Sequence, residues 1–78
     1  MNNEVRRDLG EQPISMIMAE LKLKANDLVV NSTEQITHKM VSRAVKGRRL
    51  NLKIQYRILH ALNKASGREY VLKDIFNY

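Results

Sequence analysis

The stretch Ile36-Thr37-His38-Lys39-Met40-Val41-Ser42-Arg43-Ala44-Val45-Lys46-Gly47-Arg48-Arg49 sorts its side chains by helical period. With successive residues turned about 100°, Met40, Val41, Ala44 and Val45 share one side, and His38, Lys39, Ser42, Arg43 and Lys46 share the other. The Thr37 hydroxyl can cap the first turn, and Gly47 offers the left-handed residue with which helices commonly end. The spacing therefore predicts a helix over residues 37–46. Its apolar side is buried, and its outer side consists wholly of cationic or hydrogen-bonding groups.

Working outward, Pro13 suits a first helical position, and Ile14, Ile17, Met18 and Leu21 recur at helical spacing, which predicts a helix over 13–23. Asn26 or a neighbour can cap a short second helix carrying Leu28, Val29 and Val30, and the polar cluster 31–35 reads as a turn. Downstream, Arg48, Arg49 and Leu50 form a basic connection to Asn51, a good cap for a helix over 52–65. Ile54, Ile58, Ala61, Leu62 and Ala65 form its core stripe; Lys53, Arg57, His60 and Lys64 lie opposite. His60 is flanked by cations on its own helix and reads as a surface residue. Gly67 ends this helix, and 70–76 has apolar surface for a short fifth one. Met16, Met18 and Met40 read as core filler, and Tyr56 and Tyr70 as packing residues. No alternating strand pattern or internal repeat interrupts the series.

The expected fold is all-α, a small bundle of four to five short helices over 13–78, preceded by a flexible leader over 1–12. A chain of 78 residues fits one domain. It has no Cys, which excludes disulfides and thiolate metal sites, and its two histidines are too distant for a local metal motif. No cofactor is expected. The longest strongly apolar stretch, 14–19, is far short of the roughly 20 residues that span a bilayer. Residues 1–12 lack the pattern of a secretory signal, so a cytoplasmic location is expected and no membrane partner.

The net charge of +6 is unevenly placed. Residues 1–34 carry −2 and residues 69–78 carry −1, whereas residues 35–68 hold nine basic side chains and no acid. Solvated faces usually mix both signs, so a one-sign stretch of this length points to a polyanion.

The 36–49 stretch, with the capped helix after it, resembles the recognition helix and following loop of the Cro/repressor-like (lambda-repressor-like) helix-turn-helix family. The chain departs from that family's pattern in three places. The interval from Leu28 to Gly47 is about two residues longer, the turn before Thr37 has no Gly, and no acid stands shortly before Gly47. The resemblance implies a helix-turn-helix within the bundle, binding to double-stranded DNA, and gene regulation as a homodimer. By the family's docking, His38, Lys39, Ser42 and Arg43 would face base edges in the major groove. Thr37, Lys46, Arg48, Arg49 and Lys53 would contact phosphates. The apolar residues Val71, Ile75, Phe76 and Tyr78 are the candidate dimer interface. The competing readings are an RNA-binding or ribosome-associated basic helical protein, and an antitoxin-like protein-interaction module. An enzyme is not expected, and neither is a small-molecule substrate. No cluster of nucleophile, base and orienting group, no phosphate-cradling Gly loop and no paired catalytic carboxylates can be picked out.

Overall fold

Pro13 opens the first helix with a φ already suited to the helix and no N–H to leave unpaired. In the computed structural model, which describes residues 10–78, this is α1 (Pro13–Glu20). Ile14 and Met18 are buried as the spacing predicts, with Ile17 and Leu21 half-buried. Met16, expected in the core, is 67% exposed, because it lies on the opposite side of the helix from Ile14 and Met18. The helix also stops earlier than 23. Lys22 turns left-handed at φ 58°, the Lys22 N–H donates to Ala19 O, and the Leu23 N–H donates to Met18 O at 2.8 Å. That is a Schellman ending with Lys in place of the usual Gly.

The second helix is α2 (Ala25–Asn31), with Leu28 fully buried. Asn26 itself lies inside it, and its neighbour Asp27 satisfies the first turn. The Asp27 carboxylate accepts the Lys24 N–H at 2.7 Å, so the first turn is closed from within. Residues 32–37 connect to α3 (His38–Lys46). This six-residue connection accounts for the long interval between Leu28 and Gly47. Thr37 Oγ1 accepts the Met40 N–H at 3.1 Å, and Gly47, at φ 89°, ends the helix, both as expected. Val41 and Ala44 are buried, and Met40 and Val45 are half-buried.

Asn51 Oδ1 accepts the Ile54 N–H at 2.8 Å and starts α4 (Leu52–Ser66). Ile58, Ala61 and Leu62 are buried as the stripe predicts, and Leu59 joins them. After Gly67, Asn63 holds both peptide groups of Tyr70, donating to its carbonyl and accepting its N–H, and the chain turns into α5 (Leu72–Ile75).

Among the described residues these five helices form one all-α bundle. Helix α4 packs against α2, α3 and α5, while α1 packs against α3 and α5. Ile75 and Phe76 were expected at a dimer interface and are instead 0% and 3% exposed, inside the molecule's own core. The short α5 packs against α1 and α4 and buries its apolar surface there. Tyr78 is half-buried, and of the four candidate interface residues only Val71 is open to solvent, at 57% exposure.

The last three residues of the expected leader also belong to the body. Gln12 is fully buried: its N–H donates to Val45 O at 3.2 Å, its Nε2 to Gly10 O at 2.8 Å, and its Oε1 accepts the Asn77 N–H at 2.7 Å. Buried polar groups need such partners, and here they tie α3 to residues near position 77. The rest of the leader, 1–9, lies outside the described residues. No helix among those described is long and apolar enough to cross a membrane.

Candidate nucleic-acid interface

The outer side of α3 carries His38, Lys39, Ser42 and Arg43, all exposed. What fixes it is the opposite side, where Val41 and Ala44 sit at 1% and 0% exposure against the neighbouring helices. At its start Thr37 is occupied by capping. His38 Nε2 lies 3.1 Å from Asn26 Oδ1, a pair in which the ring N–H donates, so the imidazole is held by α2. Asn26, one of the candidate caps, thus ties α2 to the first turn of α3.

Helix α4 holds the 32–37 connection from the other flank. Arg57 Nη1 donates to Gln35 O at 3.4 Å, and His60 Nδ1 lies 3.3 Å from Glu34 Oε1. On its own helix His60 has only cations nearby, so the carboxylate arrives through the fold. Both side chains are largely exposed, which makes the ion pair weak.

The end of α3 places the next basic residues. The Gly47 N–H donates to Ala44 O at 3.2 Å, and the Arg48 N–H donates to Arg43 O at 3.0 Å. This Schellman pair turns the chain so that Lys39, Ser42, Arg43, Lys46 and Arg48 line one shallow depression of about 330 Å³. Arg49 and Lys53, next along the chain, are also exposed. Among the described residues the one ion pair is that of His60 with Glu34, so no described carboxylate neutralises Lys39, Arg43, Lys46 or Lys53. Clustered cations of this kind hold a positive potential that attracts polyanions.

Two residues shape this surface in roles other than those the sequence suggested, which placed Gln12 in the leader and Tyr78 at a dimer interface. Gln12 anchors the end of α3, as described above. Tyr78 accepts the Leu50 N–H at 3.2 Å, and the Arg49 guanidinium carbon lies 5.7 Å from its ring centroid. Partial burial pushes the Tyr78 hydroxyl above its ordinary pKa, against the opposing pull of the Leu50 N–H and the Arg49 charge. Sequence spacing holds no signal for either residue, since their partners are far along the chain. The chain matches no family model, no curated protein and no solved structure.

Proposed function

We propose that this chain binds double-stranded DNA sequence-specifically, with α2, the 32–37 connection and α3 acting as a helix-turn-helix, and that it works as a small transcriptional regulator. The observation that carries the reading is the two-sidedness of α3. Its inner side is sealed into the core, and its outer side is exposed, cationic and free of any described carboxylate partner.

In this reading α3 enters the major groove, where each base pair presents a distinct donor and acceptor pattern. Arg43 is suited to two parallel hydrogen bonds to the O6 and N7 of guanine, Lys39 to one of them, and Ser42 to less selective contact. His38, steadied by Asn26, sits beside them. Lys46, Arg48, Arg49 and Lys53 neutralise phosphates and release counterions, which sets register and affinity without reading sequence. Thr37 touches a phosphate while keeping its cap.

The chain acts as a homodimer in this reading, which places two copies of α3 about 34 Å apart on successive major-groove turns. With Ile75 and Phe76 inside the core, the contact in this reading falls on the exposed Tyr56 and Val71 of the groove between α4 and α5 and on Leu52, one turn before Tyr56.

Fluorescence anisotropy with random duplex DNA and with matched RNA, repeated between about 50 and 200 mM salt, tests the reading. Neutralising about four phosphates gives a log-log salt slope of about −3.6 per subunit. Weak, salt-insensitive binding to both nucleic acids overturns it, and a clear preference for RNA replaces DNA with RNA as the partner.

A further inference from the structure

Beyond the Schellman ending of α3, Leu50 is held on both sides. Its N–H donates to the Tyr78 hydroxyl at 3.2 Å, and its carbonyl accepts from Gln55 Nε2 at 2.7 Å. The neighbouring Arg49 guanidinium lies over the Tyr78 ring, within the range at which a cation is drawn to an aromatic face. That ring is itself fixed. It packs on Phe76 at 5.4 Å between centroids, Phe76 is buried, and the intervening Asn77 N–H is bound to the buried Gln12.

We infer that Tyr78 is a positioning residue for DNA binding, whose ring holds the Arg49 guanidinium at the edge of the cationic groove. The inference rests on the DNA reading above and adds to it a residue that touches no DNA. A long cationic side chain loses rotamer freedom when it engages a phosphate, and that loss weakens binding. A side chain already restrained by an aromatic ring loses less. Gln12 extends the same arrangement to the end of α3, because its N–H is bound to Val45 O. The segment 76–78 thereby sets both the end of the proposed reading helix and the first residues after it.

The test is a double-mutant cycle of Tyr78→Leu and Arg49→Ala, with affinity for a random duplex read by anisotropy and folding monitored by thermal melting. Tyr78→Leu weakens binding about fivefold, the loss expected when one restrained side chain is freed. In the Arg49→Ala background the same substitution changes affinity less than about twofold, because the group it positions is gone. Tyr78→Phe keeps the ring and retains most of the affinity. A second measurement needs no DNA: the Arg49 δ-methylene protons are shifted upfield by the ring in the unmodified chain and in Tyr78→Phe. Equal effects of Tyr78→Leu with and without Arg49 overturn the inference, as does an unshifted Arg49 in the unmodified chain. If the unmodified chain shows no salt-dependent binding to duplex DNA while Arg49 is shifted, the DNA reading itself has failed and the inference falls with it.

Discussion

Gly47 and Gly67 both end helices in the left-handed region, at φ 89° and 72°, and the sequence marks both as helix stops. Their surroundings separate them. A Cβ at Gly67 would meet open space, whereas one at Gly47 would stand 1.8 Å from the Gly10 carbonyl oxygen. Gly67→Ala therefore costs about 1 to 2 kcal/mol for left-handed backbone alone. Gly47→Ala costs clearly more, since the backbone at Gly10 must move and disturb the Gln12 to Val45 hydrogen bond behind it. Urea unfolding of the two variants measures the difference. Equal losses would show that Gly10 does not press on Gly47. Nothing in the sequence near Gly47 signals this approach, because the residue that fills the space is 37 positions away, in a stretch that reads as a polar leader.

At the scale of elements, α3 and α4 are the most legible parts of the chain. Their caps at Thr37 and Asn51, their glycine stops and their apolar stripes all lie within a few residues, where the helical period operates. The ends of α1 and α2 were less legible. Lys22 closes α1 in a conformation that favours Gly, and of Asn26 and its neighbours it is Asp27 that satisfies the first turn of α2. The two ends of α3 also separate the proposed roles of its charges. Arg43 lies on the exposed side of the helix, and Arg48 lies past its Schellman ending. Arg43→Ala should relax base preference, losing about 1 to 3 kcal/mol on the preferred site and little elsewhere. Arg48→Ala should weaken all sequences alike and lower the salt slope by about one. Competition binding with selected and random duplexes distinguishes them, and identical behaviour would remove the division between readers and anchors.

Across the whole molecule, the charge asymmetry seen along the chain becomes a surface. Cations from α3 and Arg48 gather in one depression, and the exposed Leu52, Tyr56 and Val71 lie on α4 and just before α5. If two copies associate through that apolar surface, a duplex carrying symmetric half-sites about 34 Å apart binds two chains, with a salt slope near −7. Val71→Asp should leave melting nearly unchanged, as Val71 is exposed, and bring the slope towards −3.6. Sedimentation of the complexes counts the chains directly. One chain per duplex, with no effect of Val71→Asp, refutes the dimer.

The sequence by itself determined the all-α class, the positions of the two central helices and the sidedness of α3, because capping and helical periodicity act between residues at most a turn or so apart. It determined the one-sign charge of 35–68 for the same reason, since charge is carried residue by residue. Only the tertiary structure decided that Ile75 and Phe76 complete the core, that Glu34 meets His60, that Gln12 is interior and that Tyr78 reaches Leu50 and Arg49. Each of these pairings joins distant parts of the chain, and which apolar surface or polar partner a residue finds there is settled by how the helices pack, not by any local spacing.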